Sequence, residues 1–332
     1  MPLARQATTM IAAIALTGAF VFDQQTLAQH QAPVAPPEVT ATSVFVMNAD
    51  TGQVLYAKNE NEVFRILSLT KLVTAYVLVD HMGDRLSETM TINGPHLTGG
   101  STAGLKRRDV WSLQDLLYGM VLVSGNDASL AIADHVGRDL LAQENKRGDS
   151  KKRFVEAMRS AAQDLGAEHA QFADPYGLSP ANVATARDMG LVAARVFTDP
   201  RLLPAWACTE RTLHIDGPKA RTETLKTSLE ILGEGTVIGA KTGSHVSKNI
   251  YNLVTAWRTP NGQTIVGVVM GSASHPARYD EMRAIMAALP QDFPALAAGP
   301  ALAEGPTMGE GTAMEEGTTD AVAASATPGA CR

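Results

Sequence analysis

Residues 64–79 read FRILSLTKLVTAYVLV, and their apolar side chains recur with the spacing of a helix. Ser68 and Lys71 stand at the start of this run, so a helix beginning near Ser68 would place both side chains on one face. A serine hydroxyl becomes a good nucleophile only when a neighbouring base takes its proton. The pair is therefore either an ordinary helix start or a nucleophile with its own base. Alone it favours the ordinary helix start, because Ser-x-x-Lys arises easily by chance.

The composition of the chain sets the broad class of protein. Its 332 residues are 45% hydrophobic and 19% charged, which is typical of a globular protein with a large core. The formal net charge of −6 gives no reason to expect a nucleic-acid partner. Cys208 and Cys331 make no metal-site pattern. Because a bond between them would close a very long loop, we expect them to stay unpaired, although the sequence leaves their pairing open.

The N-terminus has the features of a signal peptide over residues 1–28. Arg5 supplies a positive charge, and residues 10–22 form an apolar run that Asp23 ends. The small-residue segment Thr26-Leu-Ala28 offers a cleavage site. The alternative is a retained membrane anchor, which usually needs a longer apolar run. We therefore expect an exported protein, periplasmic or otherwise extracytoplasmic.

Composition also divides the rest of the chain. Residues 29–40 are proline-rich and polar, which indicates a linker. Residues 41–290 contain the apolar patterns of one folded domain. Residues 291–332 are rich in alanine, glycine, threonine and glutamate and are expected to be disordered. This tail has neither the basic residues nor the apolar face of an amphipathic membrane anchor, so no C-terminal anchor is expected.

Strand patterns enclose a block of helices within the folded domain. Strands are predicted near residues 43–47, 53–56, 211–215, 236–240, 251–257 and 264–270. Helices are predicted to begin near Ser68 and to cover residues 116–123, 126–136, 154–165, 189–197 and 278–288. This order lacks regular βαβ alternation. It indicates an α+β fold, in which helices flank an antiparallel sheet and a helical subdomain is inserted in the middle.

Two further motifs carry candidate site residues. Ser124-Gly-Asn126 falls between two predicted helices, where Ser124 could relay a proton and Asn126 could hold a peptide amide. By itself this motif is better explained as a helix cap. Lys241-Thr-Gly-Ser244 ends a predicted strand, where a second cation would depress the pKa of Lys71 and attract a carboxylate. By itself it is better explained as a strand end with turn residues, although Gly243 leaves room for a ligand backbone.

The order of the three motifs is more informative than any one of them. Ser-x-x-Lys, Ser-x-Asn and Lys-Thr-Gly in succession resemble the low-molecular-mass penicillin-binding proteins, the serine D-alanyl-D-alanine carboxypeptidases. The resemblance runs from about residue 43 to residue 289 and implies a β-lactamase/transpeptidase-like fold. Segments outside the motifs share it, namely residues 47–56, 116–120, 124–128, 176–178 and 185–189.

The resemblance implies catalytic roles for five side chains. Ser68 would be the acylated nucleophile and Lys71 its general base. Ser124 and Asn126 would belong to the proton relay and the substrate-amide contact, and Lys241 would support the relay. No cofactor and no metal are implied.

The resemblance also implies a substrate-binding edge formed by Lys241, Thr242, Gly243 and Ser244. The backbone N–H groups of Ser68 and Ser244 would form the oxyanion hole. Arg278 would bind the terminal carboxylate of the substrate. The alternative interpretation of Arg278 is an ordinary surface arginine at the start of a helix. The sequence departs from the family in four places: it has no pattern for the β-rich second domain or the C-terminal membrane anchor of many relatives, and two short segments differ. Ile66-Leu67 replaces the usual Pro-Ala, and Asn249-Ile250 replaces a small-residue pair.

The implied function is removal of the terminal D-Ala from peptidoglycan pentapeptides through a Ser68 acyl-enzyme, with β-lactam antibiotics as inhibitors. The short architecture also resembles the D,D-endopeptidases, which cut peptidoglycan crosslinks. A β-lactamase is disfavoured because no glutamate between residues 127 and 240 has the asparagine four positions on that class A enzymes use. A catalytically idle peptidoglycan-binding protein is disfavoured because nothing needed for the chemistry is missing.

Overall fold

The computed structural model describes residues 37–290 and 329–331. These ranges do not include the predicted signal peptide, most of the predicted linker or most of the predicted tail. The prediction that the tail forms no membrane anchor therefore also lies outside the described residues. Among the helices that are described, none is both long and apolar enough to cross a membrane.

The described helices include the six that the sequence predicts and one short addition. Their bounds are α1 Thr70–Met82, α2 Leu113–Leu122, α3 Asn126–Gln143, α4 Ser150–Asp164, α5 Ala186–Thr198, α6 Leu203–Trp206 and α7 Ala277–Ala288. Side-chain caps fix several starts. The hydroxyls of Ser112 and Thr185 accept from backbone N–H groups of α2 and α5. Helix α4 begins earlier than predicted because the Asp149 carboxylate caps it.

The described strands form one main sheet and three small ones. Their bounds are β1 Ser43–Asn48, β2 Val54–Lys58, β3 Val63–Arg65, β4 Thr89–Thr91, β5 Val110–Ser112, β6 Val183–Thr185, β7 Cys208–Ile215, β8 Arg221–Lys226, β9 Val237–His245, β10 Ile250–Arg258, β11 Thr264–Met270 and β12 Gly329–Cys331. The main sheet is antiparallel in the order β2-β1-β11-β10-β9. Its strands come from both ends of the domain, and most of the helices lie between them in sequence. The predicted α+β fold with an inserted helical part is therefore confirmed.

The central strands of the main sheet are buried on both faces. Every residue of β1 and of β11 is buried. On one face α5 approaches so closely that a side chain at Gly190 would overlap the Phe45 ring. On the other face Tyr279, Met282 and Ile285 of α7 belong to a separate apolar cluster. Continuous apolar strands of this kind are expected where helices cover both faces.

The end of the predicted tail is ordered against the domain. Gly329–Cys331 pairs in parallel with β7, and Cys331 is joined to Cys208 by a disulfide with a Cα–Cα distance of 5.7 Å. For these residues the expected disorder is wrong, and so is the expectation that the cysteines stay unpaired. The entropy cost of closing a loop rises only slowly with its length, so the long separation is a weak argument against the bond.

Candidate active site

Ser68 lies in a tight turn directly before α1. Residues Leu67–Leu69 form a single 3-10 turn, and Leu67 has a φ of +52°. A positive φ is costly for a leucine and persists only where packing enforces it. Here Ile66 and Leu67 are both buried, and Gly177 fits against the Leu67 carbonyl where a side chain would overlap it. The departure at positions 66 and 67 thus places two apolar side chains in the core beneath a half-buried Ser68.

Lys71 is fully buried, and its Nζ contacts three groups of the site. Nζ donates to Ser68 Oγ at 3.0 Å, to Asn126 Oδ1 at 2.8 Å and to the Tyr176 carbonyl at 2.8 Å. An amide oxygen and a carbonyl oxygen can only accept hydrogens. When Lys71 is neutral, its two hydrogens satisfy these two acceptors, and its lone pair faces the hydroxyl of Ser68.

Burial and a second cation adjust the protonation of Lys71. Desolvation lowers the pKa of Lys71 well below its usual range, and the nearby positive charge of Lys241 lowers it further. The carboxylates of Asp174 and Asp127 act in the opposite direction. Burial, followed by the charge of Arg278, lowers the pKa of Lys241 to about 7. Burial and the charge of Lys241 thus both favour the neutral form of the amine beside Ser68.

Ser124 and Lys241 form a second pair. Lys241 Nζ donates to Ser124 Oγ at 2.9 Å and to the Thr242 carbonyl at 3.0 Å. Ser124 follows the end of α2 and has a φ of +56°. This left-handed backbone is strained for a serine, and such residues gather at functional sites. The cap interpretation of the motif is wrong, because α3 begins at Asn126 with Gly125 as its N-cap residue and no side chain caps it.

The edge of the main sheet lies beside the Ser68 turn. Strand β9 carries Lys241, Thr242, Gly243 and Ser244, and it is the last strand in the order of the sheet. A Cβ at Gly243 would come within 2.5 Å of the Ile66 carbonyl oxygen. The glycine therefore lets the strand pack against the turn of this same chain. Thr242 is half-buried and Ser244 is exposed.

Arg278 is a buried residue of the site, so the alternative of a surface arginine is wrong. It is 2% exposed, and its Nη1 donates to Ser244 Oγ at 2.5 Å and to the Asn252 carbonyl at 3.5 Å. Burial lowers the pKa of this guanidinium. Its Nε is buried and has no hydrogen-bond partner.

Sequence reasoning missed several groups that shape the site. The Tyr176 carbonyl is a backbone atom, so no side-chain pattern could mark its contact with Lys71. Asp174 orders this loop by accepting from the backbone N–H groups of Tyr176, Gly177 and Ser179. Asn252 of β10 donates from Nδ2 to the Arg65 carbonyl at 2.9 Å and so ties the sheet to the approach to Ser68.

The site contains groups for nucleophilic attack and for anion binding. Ser68 faces a desolvated amine, and the first turn of a helical segment leaves backbone N–H groups free to meet negative charge. Lys241 and Arg278 add two buried cations, whose hydrogen-bond acceptors are hydroxyl and carbonyl oxygens rather than carboxylates. In the part of the chain that is described, no cluster of His, Cys, Asp and Glu could hold a metal ion.

Comparisons with known proteins bear on the family to which the chain belongs. Residues 29–274 match the family described as D-alanyl-D-alanine carboxypeptidase, Peptidase_S11. The D-alanyl-D-alanine carboxypeptidase DacA of Haemophilus influenzae is 29% identical over 76% of this chain and 62% of its own length. The D-alanyl-D-alanine endopeptidase of Pseudomonas aeruginosa is 32% identical over 54% of this chain and 55% of its own length.

The solved structure of the Streptomyces K15 DD-transpeptidase is similar in fold. It superposes with a TM-score of 0.69 and 29% identity, covering 76% of this chain and 98% of that one. The chain thus spans less than two thirds of the length of the Haemophilus relative and nearly all of the Streptomyces one. The family match covers most of the chain and agrees with the order of the sequence motifs. The chain belongs to the D-alanyl-D-alanine carboxypeptidase family.

Proposed function

We propose that this protein is a serine D-alanyl-D-alanine carboxypeptidase that removes the terminal D-Ala from peptidoglycan pentapeptides. The observation that carries the proposal is the contact between the buried Lys71 amine and Ser68 Oγ at 3.0 Å. A buried amine whose hydrogens are directed to Asn126 and Tyr176 is suited to take a proton from the serine.

In the acylation step Ser68 Oγ attacks the carbonyl of the penultimate D-Ala and gives its proton to neutral Lys71. The backbone N–H groups of Ser68 and Ser244 stabilise the oxyanion that forms. The tetrahedral intermediate then expels the amine of the terminal D-Ala, which needs a proton. Ser124 supplies this proton and is replenished from Lys241, its neighbour at 2.9 Å. Before deacylation Lys71 loses the proton that it gained and Lys241 regains the one that it gave, so both amines return to their starting states. Water then attacks the acyl-enzyme and gives a proton to neutral Lys71, which passes it to Ser68 Oγ as the ester bond breaks.

The substrate binds as an extended strand along β9. Its backbone pairs with the edge formed by Thr242 and Ser244, in the manner of a peptide added to a sheet. The terminal carboxylate lies near Arg278 and Lys241, whose positive charges are buried and therefore attract it strongly. Asn126 contacts the substrate amide. β-Lactam antibiotics enter the same site and acylate Ser68.

Cleavage of peptidoglycan crosslinks is the second candidate function. The Pseudomonas relative is named as an endopeptidase, and the same catalytic residues serve either reaction. Beyond Ser244 the β9–β10 connection presents Val246, which is 70% exposed, and Asn249 with a φ of +51°. We propose that a crosslinked substrate bound along β9 would contact this connection.

We further propose that the protein acts outside the cytoplasm, where peptidoglycan lies. The proposal rests on the charge of Arg5, the apolar residues 10–22 and the small residues before Gln29. Mass spectrometry of the protein from its native host should give an N-terminus at Gln29. An intact N-terminus in the cytoplasmic fraction would contradict export.

Product analysis tests the proposed reaction. The purified protein and a Ser68→Ala control are incubated with uncrosslinked pentapeptide and with crosslinked muropeptides, and the products are weighed by mass spectrometry. Loss of one D-Ala from the pentapeptide, with crosslinks intact and no activity in the control, is the expected result. Cleavage of crosslinks would show that the protein is an endopeptidase. Turnover by the Ser68→Ala control would refute the proposed mechanism.

A further inference from the structure

Asn126 is held by a loop that the proposed mechanism does not use. Residues 99–105, called here the 99–105 loop, run beside the start of α3. Asn126 Nδ2 donates to the Gly99 carbonyl at 2.9 Å, and the Asn126 backbone N–H donates to the Ser101 carbonyl at 2.8 Å. Both the side chain and the backbone of Asn126 therefore depend on the placement of this loop.

Asp127 fastens the same loop from the other end. Its Oδ1 accepts from the Ala103 N–H at 2.7 Å, and its Oδ2 accepts from the Leu105 N–H at 3.1 Å. Oδ1 also accepts from the Ala128 N–H at 2.9 Å. Asp127 is 2% exposed. Three backbone donors thus converge on one buried carboxylate, which is a strong and directional arrangement.

The packing around Ala103 leaves the loop little freedom. A Cβ at Gly125 would lie 2.9 Å from the Ala103 Cβ, and one at Gly119 would lie 2.8 Å from it. The loop is therefore pressed against α2 and against the Ser124-Gly-Asn126 turn. Gly100, with a φ of +83°, passes so close that a Cβ there would lie 2.7 Å from Asn126 Nδ2.

We propose that Asp127 is a positioning residue: by fastening the 99–105 loop to the start of α3, it holds the Asn126 amide against Lys71. The inference rests on the proposed function, since it assigns Asp127 a part in the same acylation reaction. Asp127 touches neither the substrate nor the reacting atoms, and it acts through the loop and through Asn126.

Because Asp127 is charged, its removal should change the pH dependence of acylation as well as the stability of the protein. The charged groups that act on Lys71 are Lys241 from β9, Asp174 from the loop before Tyr176, and Asp127 from α3. The Asp127 carboxylate raises the pKa of Lys71, against burial and Lys241. Acylation requires neutral Lys71, so its rate rises with pH through the pKa of Lys71. Removing the carboxylate lowers that pKa. The acid limb of the profile, which is the pH range over which the rate rises to its plateau, then moves to lower pH.

The test is the acylation rate of a fluorescent penicillin from pH 5 to pH 9, measured for wild type, Asp127→Asn and Asp188→Asn. Asparagine has nearly the shape of aspartate, but its Nδ2 cannot accept from a backbone N–H. Asp188 is the matched control, because it is 1% exposed and its carboxylate accepts from the Thr185 N–H of a helix cap at 2.9 Å. Thermal unfolding of each variant is measured in parallel.

For Asp127→Asn we expect the plateau rate to fall roughly 10- to 100-fold, because a small misplacement of a positioning group has a cost of that order. We also expect its acid limb to move to lower pH. Asp188→Asn should lose thermal stability while keeping both plateau and acid limb. A folded Asp127→Asn protein with the wild-type plateau and acid limb would overturn the proposal. Absence of acylation in the wild type would instead refute the proposed function.

A second variant keeps the proposal testable if Asp127→Asn does not fold. Gly100→Ala adds one methyl group at an exposed loop position, where it meets Asn126 Nδ2. It should lower the acylation rate by about tenfold or more, whereas Gly52→Ala, at a φ of +75° with nothing within 4 Å of a Cβ, should carry a similar backbone strain and keep the wild-type rate. A wild-type acylation rate in Gly100→Ala would show that the loop does not hold Asn126 and would overturn the proposal.

Discussion

The hydrogen bonds of Lys71 determine whether its lone pair can reach Ser68. The Asn126 Oδ1 and Tyr176 carbonyl contacts, both 2.8 Å long, take the two hydrogens of a neutral amine and leave its lone pair for Ser68. Burial and the charge of Lys241 favour the neutral form, against the carboxylates of Asp174 and Asp127. A lysine at this position is therefore suited to the proposed role of base, whereas an exposed lysine would remain charged.

Replacing Lys71 with arginine tests this assignment. Arginine retains its proton at all ordinary pH values and cannot act as the base. We expect the rate of penicillin acylation to fall by roughly 100- to 10,000-fold, the range that general-base catalysis supplies. The exposed Lys248 is a matched control, and Lys248→Arg should acylate normally. A Lys71→Arg rate within tenfold of wild type would be inconsistent with Lys71 as the base.

The charge of Lys241 should appear in the pH profile of acylation. Because this charge lowers the pKa of Lys71, Lys241→Met should raise that pKa. The acid limb of the remaining activity should then move to higher pH, opposite to the shift expected for Asp127→Asn. Since the pKa of Lys241 is itself about 7, the difference should be largest below neutrality. An acid limb that stays in place, as expected for Lys248→Met, would contradict the coupling.

At the scale of elements, the site depends on the contact between β9 and the turn that carries Ser68. Gly243 makes this contact possible, because any side chain there would meet the Ile66 carbonyl. Gly243→Ala should therefore displace the strand from the turn and lower acylation by roughly 10- to 100-fold. Gly94→Ala is the control, because nothing lies within 4 Å of a Cβ at that position. Equal acylation by both variants would show that the contact tolerates a methyl group.

The sequence predicts the larger elements well because their patterns are local. The hydroxyl caps at Ser112 and Thr185 and the apolar runs of β1 and β11 need no tertiary information. Strand β8 is missed because most of its side chains are polar and its structure comes from pairing with β7. The strands β3 and β6 are missed because three residues are too few to show a period.

The candidate site is predictable only as far as its side chains form motifs. The order of the three motifs is enough to associate five side chains with one site, namely Ser68, Lys71, Ser124, Asn126 and Lys241. The burial of Arg278 depends on how α7 packs beneath β10, which no local pattern shows. The Tyr176 carbonyl and the 99–105 loop act through backbone atoms, so their identity as site groups requires the fold.

At the scale of the whole molecule, the Cys208–Cys331 disulfide ties the C-terminal strand to the domain. The two cysteines are 123 residues apart in sequence, and cross-linking so long a segment limits the unfolded chain. We expect Cys331→Ser to lower the free energy of unfolding by about 2–4 kcal/mol, as measured in urea. Its acylation rate should equal that of wild type, because no site residue lies on β12. Unchanged stability would show that the bond does not form in solution.

The position of the penicillin adduct shows directly whether Ser68 is the nucleophile. The protein is incubated with benzylpenicillin and digested with trypsin, which releases residues 66–71 as one peptide, and the fragments are sequenced by mass spectrometry. We expect the penicilloyl group on Ser68 in wild type and its absence from this peptide in Ser68→Ala. An adduct on Ser124 or another residue, or an unmodified wild-type protein, would contradict the assignment of Ser68 as the nucleophile.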